Sequence, residues 1–391
     1  MDAQNKIAQN MFLGMLFVWL LYVGLYITTN FQPLLGGQGI LKAFSILTMV
    51  ILFCKEIISA QTYNLNSDVL STNITLLIFL ILSINYANHN DGLLSLSMIA
   101  LIVSSRNINV FKLLKVFTFA EGILLLLTII SSKIGLIATV YMPSDDGTIR
   151  SSLGFGYVSF ASHHAFFFIC AYLILRNSKI KYLELCILLF IVVCLYKLTG
   201  TSSPFYLSLL ALLYDFLVEK ILKRKLIVNN KFLSIFAGLS FVIAFIIVIY
   251  FCTLASPSLV AIVDKITHNR LHLSIEGMKN FGITAFGQKI NFITLDIFGN
   301  YSGQYNYIDS SYIQSLVVNG WLFTAVIIYL YSYAVWWAIK RKYELITAFL
   351  VLAAIQGMFD PQMFVLWYSP FVIVLGKCFS TGDLIYGKNN L

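Results

Sequence analysis

Phe232-Leu-Ser-Ile-Phe-Ala-Gly-Leu-Ser-Phe-Val-Ile-Ala-Phe-Ile-Ile-Val-Ile-Tyr-Phe-Cys-Thr-Leu254 contains no charged residue. It is long enough to cross the hydrocarbon core of a bilayer as a helix, which takes about 20 apolar residues. Directly after it, from Ser256 to Ser311, the character changes. That stretch carries Lys265, His268, Arg270, His272, Glu276, Lys279, Lys289, Asp296 and Asp309. An apolar run followed by a long polar stretch reads as a spanning helix that delivers a surface loop, and loops of this length are usually functional.

The rest of the chain repeats the apolar half of that pattern. Of 391 residues, 59% are hydrophobic and 11% charged, against about 25% charged in soluble domains. The expected fold class is an all-α integral membrane protein with about 12 transmembrane helices, within a range of 10–12. The expected spans lie near 10–28, 37–54, 69–86, 92–105, 110–135, 157–176, 181–198, 203–219, 232–254, 312–338, 344–358 and 361–378. The fourth and eleventh are short, and re-entrant or buried segments are alternatives there. Residues 1–391 form one polytopic membrane domain in this reading, with 255–311 as a large extracytoplasmic loop carrying short amphipathic helices. The first run follows a stretch without a small-residue cleavage site, so a retained span is expected.

The net charge of +9 has no soluble domain on which to cluster, so nucleic acid is not an expected partner. Most basic residues fall instead in short connections, such as Lys55, Arg106, Lys112, Arg176, Lys220–Lys231 and Lys340. A cytoplasmic N-terminus puts all of these inside, as the positive-inside rule requires, and puts the C-terminus inside too. The run Lys220–Lys231 is a topology anchor or an attractor of anionic lipid. All five histidines then lie outside, with the exceptional cations Lys42, Lys133, Arg150 and Lys197. The six cysteines lie in or beside apolar runs without paired or metal-type spacing and read as small core- or lipid-facing residues.

Phosphate-loop, zinc-protease and paired-cysteine motifs are absent, and Gly154-Phe-Gly156 lacks the third glycine of a dinucleotide loop. Asp145-Asp146 sits in a Pro-Ser-Asp-Asp-Gly turn, where aspartate serves local hydrogen bonding. Arg150 closes the outer connection before the sixth span. Its guanidinium matches phosphate oxygens, and an interfacial anchor or a salt bridge to Asp145 or Asp146 is the alternative. His163 and His164 follow within that span and point to different faces, so at most one lines a given cavity. Lys197 precedes Leu-Thr-Gly-Thr-Ser-Ser-Pro204, a hydroxyl-rich turn that opens a helix at proline and either holds an anion or is simply capped.

Within the loop, His268 to Met278 has helical spacing. Leu271, Ile275 and Met278 share one face, and Arg270, Ser274 and Gly277 another, which directs Arg270 either into a polar pocket or to a solvated pairing with Glu276 or another acid. Asp309 is the expected N-cap of the tenth span, with Ser310 and Ser311 as competitors. It is also placed to act as a general base at the membrane surface.

Four short places resemble the Wzy-like O-antigen and capsular polysaccharide polymerases, a family of polytopic polymerases and ligases. Arg150-Ser-Ser-Leu-Gly-Phe-Gly resembles the family's first outer arginine segment, although Tyr157-Val-Ser follows where the family often has His-Pro-Asn. Lys197-Leu-Thr-Gly-Thr-Ser-Ser resembles its Thr-Gly-Ser-Arg turn, with Ser203 at the usual arginine position. His268-Asn-Arg270-Leu with Thr284-Ala-Phe-Gly287 resembles the second arginine segment. Ile308-Asp-Ser-Ser-Tyr312 resembles an Asp-Asn-Ser-Tyr pattern before the next span. Related ligases tend to carry histidine where this chain has Asp309, which favours polymerase.

The resemblance implies a glycosyltransferase of the bacterial cytoplasmic membrane that joins polyprenyl-diphosphate-linked oligosaccharide units on the outer face. It implies Arg150 and Arg270 on the diphosphate and Asp309 as base on the acceptor hydroxyl. Lys197, His163, His164, His268 and Tyr312 are the further expected substrate contacts. No cofactor is expected, since diphosphate is already a good leaving group and fixed positive charge can stabilise it. Implied partners are the lipid-linked oligosaccharide, as donor and acceptor, the bilayer, a chain-length regulator and a flippase. A ligase with a different acceptor, a lipid-oligosaccharide flippase and a non-catalytic scaffold are the alternatives.

Overall fold

A computed structural model describes residues 2–60, 69–143, 147–267, 270–294 and 305–380. The chain is mostly helical, as a sequence dominated by long apolar runs requires when backbone groups must pair internally. Its helices are α1 (Asp2–Thr28), α2 (Gln38–Ala60), α3 (Val69–His89), α4 (Leu93–Ser104), α5 (Val110–Lys133), α6 (Phe160–Arg176), α7 (Tyr182–Thr199) and α8 (Ser202–Asp215). They continue as α9 (Lys231–Gly238), α10 (Ser240–Thr253), α11 (Pro257–Ile266), α12 (Arg270–Phe281), α13 (Ser311–Gln314), α14 (Gly320–Lys340), α15 (Glu344–Gln356) and α16 (Phe371–Val374). The side chain of Asn109 starts α5 by accepting from the Phe111 amide at 2.8 Å, and Asn230 starts α9 in the same way. One small departure from an all-helical chain is the antiparallel hairpin β1 (Tyr141–Pro143) and β2 (Ile149–Ser151), in which Met142 faces Arg150.

The expected twelve spans are not borne out. Among the described residues, four helices are long and apolar enough to cross a membrane: Gln4–Thr28, Val110–Lys133, Tyr182–Thr199 and Ser311–Lys340. Four further apolar helices are shorter: Asn73–His89, Leu93–Ser104, Phe160–Arg176 and Glu344–Gln356. The expected span 232–254 is broken, with α9 and α10 meeting at 56°. A side chain at Gly238 would come within 2.4 Å of the Trp336 ring, so the break lies where α9 is pressed against α14.

The expected span 361–378 is not one helix. Pro361 and Pro370 each lack a backbone donor, and the segment runs through turns, the four-residue α16 and a 3-10 turn over Leu375–Phe379. It is nonetheless buried, with Leu366, Phe371 and Val374 fully covered. Irregular backbone is tolerated inside a membrane bundle when protein satisfies it. Here Ser311 Oγ receives the Met363 amide at 3.0 Å, and Ser105 Oγ donates to the Ile373 carbonyl at 3.0 Å.

Contacts sort the element ends into two groups. At one end, the amide of Gly156 bonds the Thr28 carbonyl at 2.9 Å, Ser162 meets Thr199 at 2.8 Å, and Ser203 bonds Asp360 at 2.8 Å. At the other end, Lys55 donates to the Ser104 carbonyl at 2.9 Å, Arg176 pairs with Glu184, and Lys377 donates to the Arg106 carbonyl at 3.0 Å. Residues 361–379 therefore run from one end of the bundle to the other despite their irregular backbone.

Candidate functional site

Asp360 is the centre of the polar cluster at the first end. It follows α15 in the short turn before Pro361, and its side chain is 4% exposed. Its Oδ1 takes Arg270 Nη1 at 2.6 Å and faces His163 Nε2 at 3.2 Å, while Oδ2 accepts from Ser203 Oγ at 2.8 Å. Gln356, one turn earlier on α15, brings its Nε2 to 3.1 Å from His163 Nδ1. With that amide orientation the imidazole carries its proton on Nε2 and directs it at Asp360. Burial alone would raise the carboxyl pKa of Asp360. His163 and Arg270 outweigh it and hold the group well below the ordinary carboxylate range.

Arg270 begins α12, whose N-terminal turn is closed by Asp264 accepting from the His272 amide at 2.8 Å. The helix buries its small-residue face. Ser274 and Gly277 point inward, and Gly277 leaves room for Ile308, whose Cδ1 would lie 2.5 Å from an added Cβ. That close approach carries Arg270 to the end of α15, where Nη1 donates to both Asp360 and the Phe359 carbonyl. Among the described residues its Nε and Nη2 make no hydrogen bond, and the side chain is 26% exposed. The open edge is the fork that recognises phosphate or carboxylate in bidentate fashion.

Asp309 lies beside this cluster, within the field of Arg270 and Asp360. Burial raises its pKa, Arg270 opposes, Asp360 reinforces, and the result is about 6. It is not the N-cap of the following helix. Ser310 occupies that position, and no side chain bonds the helix start there. Asp309 is thus one residue too early to cap, and its carboxylate makes no hydrogen bond among the described residues.

Arg150 is set on β2 and lies across the end of α7, where its Nε donates to the Thr199 carbonyl at 2.9 Å. Gly200 terminates α7 in the left-handed region at φ +61°, and a Cβ there would sit 3.0 Å from Arg150 Nε. Glycine thus serves both the turn and the passage of the arginine. A cation against a helix C-terminus is electrostatically favourable. The Leu-Thr-Gly turn after Lys197 therefore positions Arg150, while Lys197 itself is exposed with no bond among the described residues.

Tyr157 lies within the influence of both Arg150 and the Arg270 cluster. Its phenol feels Arg150, Asp309 and Arg270, and its pKa is raised by burial with Arg150 opposing. The loop is pinned farther along, where residues 284–288 lie backbone to backbone on the start of α14. Gln288 donates to the Val318 carbonyl at 2.9 Å and Trp321 to the Thr284 carbonyl at 3.1 Å.

The remaining sequence candidates separate from this cluster. His164 turns away from His163, as adjacent helical residues must, and is buried between Glu121 and Thr28. Tyr312 is fully buried and donates to the Ala354 carbonyl at 3.0 Å, a core position. His268, Asn269, Asp296, the Asp145-Asp146 turn and the tail from 381 lie outside the described residues, so an Arg150 pairing with either aspartate does too. Asp360, Gln356 and the bond from Ser203 were not foreseen. The signal for Asp360 was a lone acid between two apolar runs, where an ionisable group needs a partner.

No protein family, curated protein or solved structure matches this chain when it is compared with them. Among the described residues, no group of three His, Cys, Asp or Glu side chains converges as a metal site would require.

Proposed function

We propose that the chain is a membrane glycosyltransferase that polymerises polyprenyl-diphosphate-linked oligosaccharide units, with the Arg270–Asp360–Asp309 end on the outer face of a bacterial cytoplasmic membrane. The shorter apolar helices and residues 361–379 would then be further crossings of a polytopic bundle. Their alternation between two ends supports that, because each connection then returns the chain to the opposite side. In this reading 255–311 is the outer loop, and its described parts, α12 and residues 284–288, lie on the bundle.

One observation carries the reading. Asp360 holds Arg270 by a single nitrogen, so the Nε–Nη2 edge stays open beside a carboxylate, Asp309, whose pKa of about 6 suits proton transfer near neutral pH. Arg270 and Arg150 would receive the diphosphate oxygens. The acceptor hydroxyl oxygen attacks the anomeric carbon of the donor, whose bond to the diphosphate oxygen breaks. The hydroxyl proton passes to Asp309, and the prenyl diphosphate departs with the bonding electrons against the two guanidinium groups. Asp360 and His163 touch neither reactant; they position Arg270.

A transporter reading draws on a different feature, the buried His164–Glu121 pair, because ionisable groups inside apolar helices often mark a transport path. Incubation of the purified protein with one lipid-linked repeat unit separates the two. Polymerase activity yields a ladder of products and free prenyl diphosphate, whereas a transporter leaves the substrate intact.

A further inference from the structure

The opposite end of the bundle carries a cavity of about 570 Å³, lined by charged and apolar side chains, which the proposed polymerisation does not use. Its walls bring together residues 218–225, following α8, and residues 342–346, the turn into α15. Four basic side chains line it, Lys223, Arg224, Lys225 and Lys342, against two acidic ones, Glu219 and Glu344. One of the two acids is already engaged. Glu344 is buried and accepts the backbone amides of Leu226, Ile227 and Val228 at 2.8, 2.8 and 3.0 Å, with the Tyr214 hydroxyl as a fourth donor. The cations are less occupied. Lys225 donates to the Lys342 carbonyl at 2.9 Å, while Lys223 and Arg224 make no hydrogen bond or ion pair among the described residues.

Backbone geometry at the same cavity is unusual. Among the described residues, four that are not glycine adopt positive φ: Leu153, Asn177, Lys223 and Lys342. Asn177, Lys223 and Lys342 all line this cavity. Left-handed residues often end helices, but glycine or asparagine normally fills the position, and lysine there is strained. All three follow helix ends, Asn177 after α6, Lys223 after residues 216–222 and Lys342 after α14, so the turns that close three helical segments gather at this one cavity. Apolar side chains, including Phe111, Ile174 and Val218, make up the rest of the lining.

We propose that this cavity binds the phosphate headgroup of an anionic phospholipid from the leaflet at that end of the bundle. The charge complementarity is direct: a phosphodiester supplies the counter-charge that Lys223 and Arg224 lack, and Lys342, from the turn before α15, adds a further cation to the lining. Exposed Ile221 and Leu222, directly before Lys223, place the same wall against acyl chains. Basic pockets between membrane helices commonly hold lipid headgroups in this way. Such a site would fix the α8–α15 connection, on which the position of Glu344 and so the start of α15 depends.

The test uses the full chain purified in non-ionic detergent and delipidated, with lipid retention measured by native mass spectrometry. Phosphatidylglycerol should bind with one-site saturation, and phosphatidylcholine should not compete. Binding should weaken about tenfold or more in the double variant Lys223→Gln/Arg224→Gln, since two charge-assisted bonds are removed. Lys342→Gln, on a separate connection, should weaken it independently of any effect of the first pair on insertion. Variants are compared only where their gel-filtration profile matches the wild type. Equal retention by wild type and both variants, or equal binding of phosphatidylcholine, overturns the proposal. Displacement of the lipid by an equal concentration of inorganic phosphate overturns it as well, because the cavity would then be a site for free anions. No readout involves glycan transfer, so the outcome is independent of the polymerase reading.

Discussion

Arg270 Nη1 meets Asp360 Oδ1 at 2.6 Å across ninety residues of sequence, joining the long loop to the turn after α15. The pair orients Arg270 instead of simply neutralising it, because one nitrogen serves two acceptors and the other edge of the guanidinium remains open. His163 and Ser203 fix Asp360 in turn, and Gln356 holds His163. The cluster is therefore a second layer behind the proposed diphosphate site.

Asp360→Asn should destabilise the protein by about 2–4 kcal/mol, since it removes the charge that compensates a partly buried arginine and leaves buried donors poorly matched. Thermal unfolding in detergent measures this. The folded-state pKa of Asp360 lies below its ordinary value. The stability it contributes is therefore present above the ordinary carboxylate range and is lost as pH falls towards the folded value. An unchanged melting temperature in the variant, together with an unchanged acid transition, would show that Asp360 does not hold the cluster.

Asp309 has the opposite sign. Its folded pKa is raised to about 6, so it binds its proton more tightly folded than unfolded. The corresponding stability is complete below pH ~4 and is lost as pH rises through about 6. Activity should run the other way, because only the carboxylate accepts a proton. Chain extension is expected to rise along an acidic limb with a midpoint near 6. Asp309→Asn should retain the fold and lower the rate by roughly a hundredfold or more. Full activity in that variant would remove Asp309 from the chemistry.

Gly287 has φ +80°, and a Cβ there would lie 2.1 Å from the Val318 carbonyl oxygen. Gly287→Ala should thus detach residues 284–288 from α14 at a local cost of about 2 kcal/mol or more. Limited proteolysis measures the release. Cleavage within 281–311 is expected to accelerate by at least tenfold with the bundle intact, and unchanged cleavage would mean that the docking is not a hinge for the loop.

Much of this was legible in the sequence, for identifiable reasons. Helical spacing put Arg270, Ser274 and Gly277 on one face, and that face is the one turned towards the cluster. Adjacent positions in a helix divided His163 from His164. The break at Gly238 was not legible, because it depends on Trp336 from a distant helix. The 361–378 run reads as a span by composition, and only its two prolines hinted at an irregular path. Lys197 drew attention by its charge, whereas the glycine three residues later was the functional part of the turn, as a seat for Arg150. Asp360 escaped because its partners lie at 163, 203 and 270, a convergence that no local pattern contains.

The most direct measurement is chain extension from a single lipid-linked repeat unit by purified wild type, Arg150→Ala and Arg270→Ala proteins of equal gel-filtration profile. A ladder of products is expected for the wild type and none for either variant, with Arg270→Lys recovering little, because a point charge does not replace the open guanidinium edge. Polymer of normal length from both alanine variants would contradict it.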